Sequence, residues 1–520
     1  MKHYDVIVIG GGLLGCFALR ALTRYNIKAA LFERREDFCT GISRANTAVV
    51  YSGYDTKPGT LRARLCVRAA LDFDKLCREL GVRYARCGSL MASFGPRGDA
   101  VLAQKYEQGL ANGVPRLRLL DGREALRLEP ALSPGLTRAL YVPDTGTVNP
   151  WELCIAAAEN AAHNGAALHM RTEVSGISQT AGGYLVVAEN SASHSRETFF
   201  TRGIVNCAGL SADQVHEMIA APEVRIVPSV GDYLVLDTKA AGIVKHIIFH
   251  EPETGDKGVT LVPTVDGNVL IGATQYASAG REVFASSQQG LALLRKCATE
   301  VVPALPLQHI IRNFGAIRPN PFQVTRTASG QYAVSDKSIR DFCILNPADH
   351  PGLISLVGIK TPGLTCAHEL GLHVAEQMAD VFAFSKNENF DPRRTAPARV
   401  RELTDDVRAQ LVNKHPTYGR IVCHCREVSE GEIVDAIRAA PDSATLYALK
   451  RRTGAGSGRC QGGFCTPQMM ALIARETGQP LAEIQQDAPG SYLAEMRQEA
   501  PCACQVGMSQ AAPCACQARK

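Results

Sequence analysis

Four cysteines near the C-terminal end, Cys423, Cys425, Cys460 and Cys465, arrive as C-x-C and C-x4-C across a 34-residue gap. Two close thiolate pairs can wrap one compact inorganic centre, and Gly462 and Gly463 let the backbone turn so that N–H groups face the sulfur. An iron–sulfur cluster and a zinc ion both accept such a set. At the other end of the chain, Gly10, Gly12 and Gly15 form G-x-G-x-x-G, and Glu33 follows 18 residues after Gly15. Gly10 permits a tight turn, Gly12 lets the backbone approach a pyrophosphate, and Gly15 allows close helix–strand packing, while Glu33 is placed to accept hydrogen bonds from a ribose. This is a dinucleotide site, and the fingerprint alone leaves FAD and NAD open.

Elements of definite kind must hold these groups. Tyr4 to Ile9 reads as a buried strand, Leu13 to Arg24 as a helix with one apolar face, and Ala29 to Phe32 as a second strand ending at Glu33, together a βαβ unit. Ala70 to Leu80 and Trp151 to Asn164 are further helical stretches. Tyr184–Ala188, Gly203–Cys207, Tyr233–Leu236, Val259–Val262 and Asn268–Ile271 are short β-rich runs. The expected fold is α/β: a discontinuous Rossmann-like dinucleotide-binding domain (about 1–80, 150–225 and 335–385) with an inserted antiparallel-sheet substrate domain (about 81–149 and 226–334). A proline-containing charged stretch, 386–420, reads as a linker or surface-crossing helix. A small α-rich cysteine domain follows at 421–480. The remainder, 481–520, reads as a flexible tail carrying a doubled Pro-Cys-Ala-Cys-Gln with Cys502, Cys504, Cys514 and Cys516.

Composition excludes several classes. A 520-residue chain exceeds one hydrophobic core, and 46% hydrophobic with 21% charged residues is that of a globular protein. The net charge of +5, from 56 basic against 51 acidic residues, gives no case for nucleic-acid binding. No apolar run has the length of a membrane span, since Val6 to Leu19 is cut by four glycines. The N-terminus enters a strand at once, without a signal peptide, so a cytoplasmic location with reduced or metal-bound cysteines is expected.

Two later motifs narrow the cofactor. Gly203-Ile204-Val205-Asn206-Cys207-Ala208-Gly209 runs from a strand into Ala-Gly, and Gly358-Ile359-Lys360-Thr361-Pro362-Gly363-Leu364-Thr365 is a Gly/Pro loop opening a helix. In this order the landmarks resemble the FAD-dependent D-amino-acid oxidase superfamily over roughly residues 1 to 385. The resemblance implies FAD. It carries the cofactor contacts to Gly10, Gly12, Gly15, Glu33, Arg34, Ser43, Asn46, Val174, Ala208, Gly209, Gly358, Gly363, Leu364 and Thr365, the last loop turning a helix N-terminus toward the flavin.

Within the superfamily, Asn46 to Gly53 and Lys57 to Leu65 resemble a flavin-contacting segment of L-2-hydroxyglutarate and glycerol-3-phosphate dehydrogenases. Gly231-Asp232-Tyr233 is similar to the former branch, and Asp144-Thr145-Gly146-Thr147-Val148-Asn149-Pro150 to the latter. Both branches oxidise an anionic secondary alcohol, so the resemblance implies a small anionic substrate. It makes Arg318, in Phe314-Gly315-Ala316-Ile317-Arg318-Pro319, a clamp for phosphate or carboxylate. Lys360 beside the flavin edge and Tyr233 as an orienter of the hydroxyl complete the expected set; the alternatives are a surface salt bridge, a solvent-facing lysine and a core tyrosine. Tyr51 stands where both branches commonly have His, and it would need a strongly lowered pKa to act as a base.

Residues from Cys423 to about Gln479, including Arg451-Arg452-Thr453-Gly454-Ala455-Gly456-Ser457-Gly458-Arg459, resemble the bacterioferritin-associated ferredoxin type of [2Fe-2S] module. Lys450, Arg451, Arg452 and Arg459 are expected to offset the cluster's charge. This module behind this flavoprotein domain resembles the catalytic subunits of anaerobic glycerol-3-phosphate dehydrogenases. The implied activity is oxidation of glycerol 3-phosphate to dihydroxyacetone phosphate, with electrons leaving through [2Fe-2S] to electron-accepting partner subunits or quinone and any membrane attachment made through a partner. The rivals are a 2-hydroxy-acid or amino-acid dehydrogenase and a non-catalytic iron–sulfur carrier or redox sensor.

Overall fold

The computed structural model describes residues 1–254, 258–440, 442 and 444–495. The tail cysteines Cys502, Cys504, Cys514 and Cys516 lie outside these. Strand β1 (Lys2–Ile9) runs parallel to β2 (Ala29–Phe32) on one side and to Arg196–Asn206 on the other, and Val6 to Ile9 are buried on both faces, as a continuous apolar run requires. Between them helix α1 (Leu13–Leu22) crosses so close to β1 that a Cβ on Gly15 would lie 1.8 Å from the Gly10 carbonyl oxygen. The sheet runs outward through Gly183–Asn190 to Thr172–Thr180 and, beyond β2, to Ala167–His169, and Leu353–Val357 joins Arg196–Asn206 in parallel. Helices Pro150–His163 and Gly363–Phe382 pack with α1 around the main core. Asn149 caps the first of these, its Oδ1 accepting from the N–H groups of Trp151 and Glu152 ahead of a Pro at the first turn.

A second, ten-stranded sheet is built from the segments between these elements. Its long spine is Val224–Leu236 against Ile310–Arg326, antiparallel, with Ser229 opposite Arg318 and Tyr233 opposite Phe314. The expected antiparallel sheet contains one parallel pair, Ile247–Glu251 with Ser89–Ser93, because these strands come from distant parts of the chain and no hairpin constrains their direction. Helix Gln288–Val301 covers one face of this sheet, through Leu294, Ala298 and Val301.

The helix expected from Ala70 begins earlier, at Leu61. Thr60 Oγ1 accepts from Ala63 N at its start, and Gly81, in the left-handed region, ends it. Residues 386–420 form a strap pinned to the large domain: Asn387 N donates to Arg24 O, Asp391 N to Asn164 Oδ1 and Arg394 N to Glu79 O. A helix, Asp405–Lys414, follows within the strap. The cysteine module then folds as the strand pair Ile421–Cys423 and Val428–Ser429 with helices Glu430–Arg438, Leu446–Thr453 and Thr466–Thr477 around its own core. Ser429 and Glu432 make a capping box at the first of these helices.

Past the module the chain is not a free tail over its described part. Leu446 and Tyr447 donate their N–H groups to Gln485 O and Gln486 O, and Gln486 N donates to Ser491 O, so 481–495 packs back onto the module. Among the described residues no helix is long and apolar enough to cross a membrane.

Candidate functional site: a dinucleotide cavity beside a four-thiol module

One cavity of about 1340 Å³ runs from the glycine turn after β1 to the second sheet. Gly10 holds φ +107, and a Cβ there would meet Cys207 O at 2.5 Å, so only glycine lets the turn pass beneath the Cys207-Ala208 backbone. Gly12, Ser43, Asn46, Val174, Ala208 and Gly209 line the same cavity. Ser43 Oγ accepts from Leu13 N, and Asn46 Nδ2 donates to Ser43 O, which ties this loop to the start of α1. Glu33 is buried at the end of β2, its carboxylate accepting from Gly11 N at 2.5 Å and Arg35 N at 2.8 Å. Burial raises its pKa, and those two N–H groups oppose the rise. Arg34 sits half-exposed at the rim between Glu173 and Glu282.

At the other end, Tyr51, Tyr233, Arg318, Lys360, Gly363 and Leu364 share the wall. The Tyr233 ring stacks on Phe314 at 4.7 Å, and Tyr51 stacks on Phe249 at 5.9 Å. Arg318 Nη1 donates to Thr274 O at 3.2 Å, which fixes the guanidinium over the cavity. Lys360 Nζ donates to Asn320 Oδ1 at 2.9 Å, and Asn320 in turn is held by Ser229 Oγ and Val227 O. Burial, then the charges of Arg62 and Arg318, lower the Lys360 pKa. Burial pushes the Tyr51 phenol up to about 12, so it stays protonated at neutral pH. Gly15, Gly358 and Thr365 stand behind the wall: Gly15 in the helix crossing, Gly358 with φ +66 against Pro321, and Thr365 accepting from Tyr51 N at 3.0 Å.

Phe249, Asn320 and Thr274 carry no mark in the sequence, and Phe314 carries one only as the first residue of the Arg318 motif. They are otherwise ordinary strand or loop residues whose only signal is alternation along strands that face the cavity. Asp487 and Ala488, from beyond the module, also line the cavity, where Asp487 pairs with Arg44 at 3.2 Å.

In the module, Cys423 and Cys465 are buried and hydrogen-bonded to each other, whereas Cys425 and Cys460 are partly exposed with Sγ atoms 3.7 Å apart. Backbone N–H groups of Gly456, Arg426 and Cys425 point at Cys423 Sγ, and those of Phe464 and Gly462 at Cys460 Sγ. A Cβ on Gly458 would lie 2.3 Å from that of Cys425. Among the described residues no three His, Cys, Asp or Glu side chains converge on one metal position. Two thiol pairs with amide donors around them suit a two-iron centre better than one tetrahedral zinc.

The arginines expected to balance this centre are used elsewhere. Asp37, in the loop after β2, takes Arg451 Nε and Nη2 at 3.1 and 2.9 Å and both Nη atoms of Arg452 at 2.7 Å, all three residues being buried or nearly so. Arg451 also reaches Asp487, and Arg459 pairs with Asp237 of the second sheet. These groups clamp the module onto the large domain. Lys450 remains beside the centre, and burial lowers its pKa to about 7.

The fold and this cavity define a flavoprotein, and the comparisons say which kind. Residues 5–377 match the FAD dependent oxidoreductase family model, and 421–475 match the BFD-like [2Fe-2S] binding domain. The chain belongs to the FAD-dependent oxidoreductase family, is an enzyme of the glycerol-3-phosphate dehydrogenase-like kind, and takes FAD and a [2Fe-2S] cluster as cofactors. It is 38% identical over 490 residues to a glycerol 3-phosphate dehydrogenase of Caloramator mitchellensis, covering 94% of this chain and 98% of that one. Human mitochondrial L-2-hydroxyglutarate dehydrogenase is 31% identical over 297 residues, 54% of this chain and 63% of its own length. Among solved structures, the dithionite-reduced, FAD-bound L-α-glycerophosphate oxidase of Mycoplasma pneumoniae superposes with a TM-score of 0.67 at 24% identity, covering 77% of this chain and all of that one.

Proposed function

We propose that the chain oxidises glycerol 3-phosphate to dihydroxyacetone phosphate and hands the electrons, through its cysteine module, to an electron-accepting partner. The observation that carries this reading is the position of Arg318, a fixed cation on the cavity wall shared with Tyr233, Tyr51 and Lys360, in a chain similar along nearly its whole length to a glycerol 3-phosphate dehydrogenase. Bound FAD supplies the acceptor for two electrons and the C–H hydrogen of the alcohol, and the [2Fe-2S] cluster supplies a one-electron carrier.

The chain's own groups do the rest. Arg318 offers a planar fork to the phosphate. The protonated Tyr51 and Tyr233 phenols orient the substrate oxygens inside a wall that the Phe249 and Phe314 rings keep dry. Lys360, held by Asn320 and lowered in pKa, takes the hydroxyl proton on Nζ. Gly363 and Leu364 open a 20-residue helix at this wall, whose N-terminal dipole favours negative charge there.

An anaerobic titration of the cofactor-loaded protein tests the substrate. Glycerol 3-phosphate is expected to bleach the flavin band, and L-2-hydroxyglutarate is not; the reverse result would transfer the reading to the hydroxy-acid branch. The base is tested by the pH profile. Activity that requires neutral Lys360 rises with pH through its lowered pKa, and Lys360→Met is expected to abolish that limb with a loss of about 10²–10⁴ in kcat. A variant that keeps the limb would exclude Lys360.

A further inference from the structure

We propose that the rim around Phe464 is the docking face for a small acidic redox protein that takes electrons one at a time. The inference rests on the proposed function to the extent that the module is the exit for electrons.

Phe464 lies in the loop between Cys460 and Cys465 and is 80% exposed, more than any other large apolar side chain among the described residues. An aromatic ring held out to water beside a buried thiol adds nothing to the module's core, whereas it is the type of residue that anchors a protein interface. The four thiols are also unequally covered. Cys423 and Cys465 are buried against the module, and Cys425 and Cys460 are the partly exposed pair. Phe464 therefore marks the side on which the centre comes nearest to solvent, with exposed Gly463 and Pro467 close to it in sequence and exposed His424 between the first two cysteines. Electron transfer needs such an edge and a short-lived contact, which small interfaces provide.

Charge selects the partner. Arg459 is 58% exposed just before the ligand Cys460, and Arg312 of the second sheet reaches the same loop through Gln461 Oε1 at 3.0 Å. The carboxylate in contact with Arg459, Asp237, is itself largely buried, and exposed Lys239 follows it in the same turn. Glu427 is the exposed acid nearest in sequence to the first thiol pair, and it and Asp237 together stand against Arg459, Arg312 and Lys239, an excess of one positive charge. The balance at this rim is basic around an apolar centre, which fits an acidic surface.

The test uses the cofactor-loaded full chain reduced anaerobically with limiting dithionite, so no alcohol is involved. Oxidised rubredoxin is the acidic protein probe, cytochrome c the basic one, and ferricyanide a small acceptor that needs no docking face. We expect rubredoxin to be reduced faster than cytochrome c at low salt and to slow as salt is raised, because screening weakens steering. Phe464→Ala is expected to slow rubredoxin about tenfold and leave ferricyanide unchanged, whereas Phe464→Leu keeps most of the rate. Equal visible spectra of the two variants show that the cluster is intact. Faster reduction of cytochrome c, or a rubredoxin rate indifferent to Phe464→Ala, would overturn the proposal. Failure of glycerol 3-phosphate to bleach the flavin would overturn the substrate reading and leave this test standing.

Discussion

The two cofactor regions hold their groups by opposite means. The dinucleotide cavity is shaped by backbone: glycines at 10, 12 and 15 remove side chains where the chain must approach itself or a phosphate, and the walls come from strands and helices with large cores behind them. The module instead gathers four thiols from the end of a short strand, from loops and from a helix start, around a core of its own that is far smaller, in a segment of 55 matched residues. Domains of that size bury too little apolar surface to stand on packing alone, so metal bonds and contact with a larger neighbour must supply the difference. Losing a thiol should therefore unmake the module, whereas losing a glycine should only loosen the cavity.

The largest effect expected is therefore at the thiols. Cys423→Ser removes one of the two buried thiols, and because metal binding and folding are one process in such small domains, the module should lose both its cluster and its cooperative unfolding. Visible absorbance of the cluster and proteolysis within 421–480 report this. Flavin bleaching by substrate should persist in the same variant, since no thiol of the module lines the cavity. Loss of both signals together would show that the two regions do not fold independently.

Next in size is the clamp between them. Asp37 is buried with Arg451 and Arg452, and burial alone would push its carboxyl up, but the two guanidinium charges outweigh it and hold its pKa below 3.8. Asp37→Ala leaves Arg452 without a carboxylate and Arg451 with Asp487 alone, and breaking a buried pair costs about 3–5 kcal/mol in comparable sites. We expect the module to detach or melt earlier, read by cluster absorbance on heating, with FAD still bound. Because the folded carboxyl titrates below its unfolded value, the clamp contributes fully above about pH 4 and is lost as pH falls through the lowered pKa. The gap between wild type and Asp37→Ala should accordingly close on acidification below that point. A difference under about 1 kcal/mol at neutral pH would mean that the strap at 386–420, and not this clamp, seats the module.

How far the sequence discloses this arrangement differs in the same way between the two regions. The βαβ unit, its glycines and Glu33 follow from one short stretch with strong periodicity, and the four-thiol set follows from its spacing. Arg451 and Arg452 read locally as counterions of a cluster, because their partner Asp37 lies 414 residues away from Arg451 and no local pattern announces it. Asp487 is hidden for the same reason: it follows the module in sequence and returns to the flavin cavity only in three dimensions. Tyr51 could be numbered from sequence, but the burial that raises its pKa comes from Phe249 and the second sheet, so its protonated state at neutral pH is a property of packing.

The smallest of the three effects is expected at the glycine turn, and it tests whether that cavity depends on shape. Gly10→Ala puts a Cβ 2.5 Å from Cys207 O in a backbone with φ +107, where an L side chain costs about 1–3 kcal/mol. Cys207 follows the buried strand Arg196–Asn206, which is hydrogen-bonded to β1, so the carbonyl cannot withdraw without disturbing the sheet register; the alternative is for the turn itself to move outward into the space the pyrophosphate needs. The variant should thus keep its fold and its cluster and lose FAD affinity by about 5- to 150-fold, the factor corresponding to that strain at 25 °C. Flavin fluorescence on dilution measures it directly. If the loss instead matched that of Cys423→Ser, with the large domain unfolding, the turn would be a structural keystone and not a shaped cradle, and the distinction between the two regions would have to be redrawn around β1.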